Sequence, residues 1–309
     1  MSLRVINPGL CSTVQDSGRA GYREWGVPLS GAFDQASFNL ANALLGNPPG
    51  AAAVEMTLVG GVYEALVPLA IALTGAPMEA CVESRQGIVS KLQIPQTVQL
   101  GAGERLILRG SSLGARAYLA VKGGFLTPLI LSSRSSEVRL KAGEVLLADP
   151  GTTLVRRPST SLVAWADDEV IRVIDGPDAH DDFDCELWDR LTFLVASQSD
   201  RMGLRLEGPE LSVPSDPERV SMPVAPGAVQ VAGRRVIILG VACGTMGGYP
   251  HVAQVVSADL DRLGQARPGN PLRLRRIELD EARELDRADR RERNAWLAQA
   301  VSRADAEST

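Results

Sequence analysis

The chain has 309 residues, 45% hydrophobic and 22% charged, with a formal net charge of −5. That length holds one large or two medium domains with ample core material, and the acidic balance excludes nucleic acid, which needs a basic footprint. The longest apolar run, Ala65 to Leu73, contains Pro68 and is far short of the roughly 18 residues of a membrane span; with no signal-like apolar region after Met1, a soluble cytoplasmic protein that meets no membrane is expected.

In chain order, short segments rich in Val, Ile and Leu predict strands at Leu3 to Ile6, Leu69 to Leu73, Ile88 to Leu92, Arg105 to Leu108, Arg116 to Val121 and Val145 to Leu147. They continue at Val170 to Ile174, Leu191 to Val195, Arg235 to Leu239, Val252 to Val256 and Leu272 to Ile277. Gly- and Pro-containing turns separate them, so the expected class is all-β, as sandwich or barrel, with few helices. The clearest helix runs from Gln35 to Leu45, with Asp34 at its N-cap, Ala36, Leu40, Ala43 and Leu44 on one face, and Gly46 with Pro48 ending it. From Glu278 to Val301 interleaved charges predict a largely solvated helix, with Asp286 and Arg290, and Asp289 and Arg293, four residues apart.

Repetition points to two related halves. Gly21-Tyr22 is followed by Ser30 and Gly248-Tyr249 by Ser257 at the same spacing, each leading through Ala and Asp into a helix-like segment. The segment from Thr97, T-V-Q-L-G-A-G-E-R-L-I-L, echoes A-V-Q-V-A-G-R-R-V-I-I-L from Ala228. The predicted division is a first domain at 1–165, a second at 166–277, with the seam near Trp165 to Glu169, and a charged helix and tail at 278–309.

Cys11, Cys81, Cys185 and Cys243 lie far apart and predict reduced, separately buried thiols. With only His180 and His251 there is no evident metal site, and His180, beside Asp181 and Asp182, reads as a solvated loop histidine. No phosphate loop G-x-x-x-x-G-K-[ST], nucleophile elbow G-x-S-x-G or H-E-x-x-H occurs.

The stretch from Ser12 to Asp34 stands out. It sets Gln15, Asp16, Arg19, Arg23, Glu24 and Asp34 among Gly18, Gly21, Gly26 and Gly31. Glycines admit close approach to a ligand while the side chains supply acceptors and a guanidinium fork. From the residues alone it suits equally a ligand-handling loop or a strand, turn and helix start with a structural Arg-Asp pair.

The words T-V-Q-D-S-G-R-A-G-Y, G-V-P-L-S-G-A-F-D, A-N-A-L-L-G-N from Ala41, Glu55-Met56-Thr57, Leu73 to Ala76, Tyr118 to Gly124, Ser199 to Gly208 and Met246 to Pro250 resemble the allophanate hydrolase subunit 2 family. That family includes the C-type component of ATP-dependent 5-oxoprolinase, the antagonist of the Kip antikinase, and the carboxyltransferase part of urea carboxylase. The resemblance implies two tandem cyclophilin-like β-barrels. It implies a non-autonomous subunit that joins a sister B-type subunit, and an A-type subunit where one exists, to cleave a cyclic amide such as 5-oxoproline, with ATP used at the level of the complex. The alternatives are a carboxyltransferase receiving biotin on a separate carrier, and a regulatory binding module.

On this resemblance the candidate catalytic residues are Asp16 and Asp34, either of which suits a general base. The candidate substrate-binding residues are Gln15, Arg19, Asn42, Ser133, Arg134, Asp200, Arg201 and Tyr249. The arginines can grip a carboxylate or phosphate through paired hydrogen bonds, while Gln15, Asn42 and Ser133 can orient a planar amide. Asn42 and Glu55 also suit hydrogen-bonded scaffolding, and Asp200 with Arg201 an ordinary turn pair. Two departures bear on the second half. Ala242 to Met246 replaces the D-x-Q-T-T of relatives, and Ser221 to Gln230 lacks their acidic residue. A glycine-rich insertion expected after Ser136 is missing as well.

Overall fold

The computed structural model describes residues 2–158, 169–179, 190–213 and 218–306, with side chains described to residue 298. Trp165, His180, Asp181, Asp182 and Cys185, singled out above, lie outside the described residues. The chain forms two compact units, one made of Met1–Gly18, Asp34–Ala166 and Arg293–Thr309, the other of Arg19–Phe33 and Asp167–Glu292. The architecture is mainly β, as expected.

The first unit contains β1 (Leu3–Asn7), β2 (Cys11–Gln15), α1 (Gln35–Leu44), β3 (Ala53–Thr57), β4 (Val62–Ala65), β5 (Leu69–Gly75), β6 (Ala80–Glu83), β7 (Val89–Leu92), β8 (Gln96–Leu100), β9 (Arg105–Leu108), β10 (Arg116–Val121) and β11 (Val145–Leu146). These strands form a six-stranded sheet ordered β11-β1-β4-β9-β6-β7 and a five-stranded sheet ordered β2-β3-β10-β5-β8. The central strands β5 and β10 bury essentially every residue, whereas β4 alternates between buried and half-buried. An apolar run without alternation needs cover on both faces. Helix α1 packs on β5 and β10 from one side, and a core that includes Leu3, Val5, Met56, Tyr63, Ile71, Leu73, Leu106 and Leu119 fills the other.

Asp34 caps α1 by accepting the Ser37 N–H at 2.9 Å, which satisfies one of the helix's open donors. Phe38, from the buried face of α1, meets Tyr118 of β10 edge to face with ring centroids 6.2 Å apart.

The second unit contains β12 (Val170–Asp175), β13 (Phe193–Val195), β14 (Gly203–Glu207), β15 (Met222–Pro223), β16 (Ala228–Ala232), β17 (Arg235–Leu239), β18 (Met246–Gly247), β19 (His251–Val255), α2 (Leu260–Gln265), β20 (Pro271–Arg276) and the part of α3 (Leu279–Ala306) up to Glu292, the rest of that helix being assigned to the first unit. Seven strands close a barrel in the order β12-β19-β16-β17-β14-β13-β20, and β15 pairs with β18 as a separate ribbon. Closure is made by a parallel pair, β12 with β20, in an otherwise antiparallel ladder. Ile171, Val173, Phe193, Leu204, Val229, Ile238, Val252 and Leu274 line the interior, the alternate positions of their strands.

The two echoing segments take different connections. β16 and β17 form a hairpin, Val229 opposite Ile238, across the two-residue turn Gly233-Arg234, in which both residues have positive φ, 67° and 156°. The corresponding β8 and β9 are joined through the longer turn Gly101 to Glu104 and enter different sheets. A two-residue primed turn holds its strands side by side, and a longer one lets them separate.

Asp259, fully buried before α2, receives the Arg172 N–H at 2.7 Å and its guanidinium at 2.9 and 2.5 Å, with Arg262 at 3.2 Å. Burial pushes this carboxyl up, but the Arg172 hydrogen bonds and the two arginine charges more than offset it, and its pKa is lowered. Asp259→Asn is expected to cost about 2–3 kcal/mol in urea unfolding, because it removes charged hydrogen bonds and leaves a half-enclosed guanidinium without its anion.

Candidate functional site

In the first unit the chemistry gathers where β2 ends. Asp16, 7% exposed, accepts the Gly18 N–H at 2.8 Å, the Ser133 hydroxyl at 2.7 Å and the Ser135 hydroxyl at 2.6 Å on one oxygen, and the Arg134 N–H at 2.6 Å on the other. Burial raises its pKa, but the bonds from Ser135, the Arg134 amide, Ser133 and the Gly18 amide outweigh it, so the carboxyl sits below its ordinary 3.8. All four donors come from its own unit. Asp16 is therefore held as an anion with its lone pairs occupied, an anchor for residues 133–135.

Gln15, fully buried, donates through Nε2 to Thr13 Oγ1 at 2.9 Å and to the Ser136 carbonyl at 2.8 Å, while its Oε1 meets no hydrogen-bond donor among the described residues. The same segment is thus bound by two consecutive residues of the T-V-Q-D word. It begins as a tight hairpin, with the Ile130 N–H donating to the Ser133 carbonyl at 2.8 Å and the Ser133 N–H returning to Ile130 at 3.2 Å. Between them Leu131 and Ser132 both have positive φ, 50° and 61°, a turn usually given to Asn and Gly. Arg134 follows, half-buried, and its guanidinium makes no hydrogen bond or ion pair among the described residues.

Asp34 and Asn42 belong to α1. Asp34 accepts the Ser37 hydroxyl at 2.6 Å besides the capped N–H, and its own N–H donates to the Tyr118 hydroxyl at 2.8 Å. Tyr118 donates to Glu55 at 2.8 Å, and Glu55 lies 3.4 Å from Arg116. Burial, with the charges of Glu55 and Asp34, pushes the Tyr118 phenol well above 10.0. Asn42 donates to the Ala51 carbonyl at 2.9 Å and accepts from Asn47 at 2.9 Å, joining the end of α1 to the chain leading into β3.

In the second unit the segment 19–33 is closed by the Arg19 N–H donating to the Leu29 carbonyl at 2.7 Å. Arg201, 7% exposed, clamps it by donating to the Gly31 carbonyl at 2.7 Å. Asp200 takes the N–H groups of Met202 and Gly203 at 2.8 and 3.2 Å, as a side-chain turn does. Tyr249 is half exposed, and its carbonyl accepts from Gln230 at 3.3 Å. Arg23, within the same sequence word but given no role above, donates to the Val224 carbonyl and keeps a buried NH1 without a partner among the described residues. It also faces Cys243, whose thiol burial pushes up despite the neighbouring cation. Cys243 is buried as expected, while Cys11, at the first position of β2, and Cys81, on the half-covered β6, are half-buried.

The structure therefore gathers Gln15, Asp16, Ser133 and Arg134 in one unit, and gathers the 19–33 segment with Arg201 in the other. Among the described residues no group of three or more His, Cys, Asp or Glu side chains is arranged to hold a metal ion. No helix among them is long and apolar enough to cross a membrane.

Comparison with known proteins bears on these groupings. The family described as "Carboxyltransferase domain, subdomain A and B" matches residues 25–276. The C-type component of 5-oxoprolinase from Escherichia coli K12 is 33% identical over 312 residues, 95% of this chain and 98% of that protein. The crystal structure of TTHA0988 is 32% identical with a TM-score of 0.75, over 90% of this chain and 55% of that one. The Kluyveromyces lactis urea carboxylase structure has a TM-score of 0.81 at 28% identity, over 96% of this chain and 29% of that one. This chain thus spans nearly the whole of the bacterial protein, about half of TTHA0988 and under a third of the yeast enzyme.

The Asp16 anchor gives a pH-dependent expectation. Because its folded pKa is depressed, its contribution is present above the unfolded value, near 3.8, and is lost as pH falls through the folded one. Asp16→Asn should lower the melting temperature at about pH 6–7, and the gap to the unsubstituted chain should narrow below about pH 4. A gap that stays constant across that range would show that the carboxylate charge is not what binds residues 133–135.

Proposed function

The chain belongs to the carboxyltransferase-domain family, subdomains A and B, and from that premise we propose that it is the C-type component of an ATP-dependent 5-oxoprolinase complex that opens a cyclic amide to an amino acid. The observation carrying this reading is the match along 98% of the bacterial C-type protein, nearly end to end with a free-standing chain. Support comes from the site chemistry. Asp16 is occupied by four donors, Asp34 caps a helix, and burial raises the pKa of the Cys243 thiol, so none of these three groups is an activated nucleophile.

Two arginines of the second unit are already engaged by backbone carbonyls. Arg201 is given to the Gly31 carbonyl and Arg23 to the Val224 carbonyl, and the sequence carries no phosphate loop. We assign the nucleotide to the sister subunits, and to this chain the binding and orientation of the amide substrate through the 19–33 segment. Arg19 leads there: it lies half-buried between Gly18 and Gly21, and its planar guanidinium has the geometry to grip a carboxylate or amide.

A biotin-dependent carboxyl transfer is the second reading, favoured by the fit to the urea carboxylase structure over 96% of this chain. There Arg19 would hold a ureido carboxylate brought by a carrier protein. The two readings separate on co-substrate: one needs ATP and 5-oxoproline, the other a carboxylated biotin carrier.

Purified alone, the chain is expected to release no glutamate from 5-oxoproline, and with its sister subunits and ATP to do so. Robust turnover by the isolated chain would overturn the subunit reading. In the assembled complex Arg19→Lys should lower kcat/KM by about tenfold or more at an unchanged melting temperature, since an ammonium cannot reproduce a bidentate fork. Normal kcat/KM in that variant would remove Arg19 from the substrate site.

A further inference from the structure

Arg23 enters the second unit with one terminal nitrogen engaged and the other open. It begins the single helical turn Arg23–Trp25, on which Tyr22 and Trp25 meet edge to face with ring centroids 5.5 Å apart. Nη2 donates to the Val224 carbonyl, whereas Nη1 is buried and meets no hydrogen-bond acceptor among the described residues. The neighbouring Cys243 offers a buried thiol, which is a weak acceptor. A guanidinium carries its charge at every physiological pH, so an open N–H on a buried one is costly and is matched best by an anion.

A second polar group borders the same β15–β18 ribbon. Val229 and Val231 belong to the barrel core, so Gln230 between them faces outward, yet it is only 3% exposed. Gly247 of β18 lies against it: a Cβ there would stand 2.6 Å from Gln230 Nε2 and 3.1 Å from Val224 Cγ1. Nε2 donates to the Tyr249 carbonyl at 3.3 Å, and Oε1 has no donor among the described residues. The ribbon itself is two residue pairs long, Met222 with Gly247 and Pro223 with Met246. So short a ladder opens readily, and the Arg23 bond to Val224 is a fastening that a stronger acceptor can replace.

We propose that Arg23 and Gln230 form a subsite for a carboxylate that sits beside an amide N–H, as it does in a lactam built from an α-amino acid. The carboxylate takes both terminal nitrogens of Arg23 in place of the Val224 carbonyl, and the N–H goes to Gln230 Oε1. A carboxylate accepts two parallel bonds from a guanidinium and supplies the opposite charge, which a peptide carbonyl does not. This rests on the amide-opening reading given above; it gives the carboxylate to Arg23 and leaves Arg19 the amide carbonyl. Specificity follows, because the same ring without its carboxylate leaves the buried charge unmatched.

The test is steady-state kinetics of the assembled complex with ATP, reading KM for 5-oxoproline and the inhibition constant of 2-pyrrolidinone, the same ring without its carboxylate, as a competitor. Arg23→Gln and Arg23→Lys are each expected to raise KM at least about tenfold while the 2-pyrrolidinone constant stays within about twofold, since only the acid uses the fork. Gln230→Leu should raise both constants together, by about threefold or more, because both rings carry the N–H. An unchanged KM in both Arg23 variants would overturn the subsite while leaving the subunit reading in place. A parallel rise of the two constants in those variants would do the same, as the mark of a disturbed fold and not of a lost charge contact. Absence of turnover by the unsubstituted complex would overturn the amide-opening reading and this proposal with it.

Discussion

One buried carboxylate organises the polar part of the first unit. Asp16 stands where β2 ends and the chain leaves for the second unit, and it fixes a segment more than a hundred residues later by three of its four hydrogen bonds. Charged hydrogen bonds of this kind are worth roughly 1.5–3 kcal/mol each when one partner is removed. They are strong enough to hold a turn whose own backbone opposes it. Without that anion the buried hydroxyls of Ser133 and Ser135 would lose this acceptor, and the bonds of Gln15 and Val14 with Ser136 would be left to resist relaxation of the hairpin. The stretch read from the sequence as a ligand loop is thus first a clamp, and its binding capacity resides in the groups the clamp positions.

A second polar assembly lies under α1 and works by a different rule. Asp34, Tyr118, Glu55 and Arg116 are all at least 95% buried, linked in series from the helix cap to β3 and β10. Such a chain is costly to desolvate and returns that cost only in one geometry. Its effect is to set the register of α1 against the sheet, since a slip by one residue would leave a buried carboxylate facing apolar carbon.

Much of the fold was legible because the strands advertise themselves. Arg105 to Leu108, Arg116 to Val121 and Arg235 to Leu239 are strands over the predicted residues, and α1 starts after the predicted cap. The strands that escaped reading are those whose inward positions are polar or small. β2 buries Ser12, Thr13 and Gln15, and β3 buries Glu55, so neither shows apolar alternation. The membership of Arg19 to Phe33 in the second unit was hidden for another reason: a chain excursion is decided by what it packs on, such as Phe33 in the barrel core, and no local pattern records it. The Gln15, Asp16, Ser133 and Arg134 grouping could be read only as separate words, since the hydrogen bonds joining them span about 120 residues of sequence and leave no periodicity.

The parallel pairing of β12 with β20 has a consequence for how the protein is made. The first strand of the barrel finds its closing partner only in the last, so during synthesis β12 leaves the ribosome long before β20 exists. Until then the open edges of β12 and β13 present unpaired amides and carbonyls beside a half-covered apolar interior, the kind of surface that invites pairing with other nascent chains. Folding of the second unit is therefore exposed to delay during synthesis, and truncation of the chain ahead of Pro271 would leave its barrel without a seam.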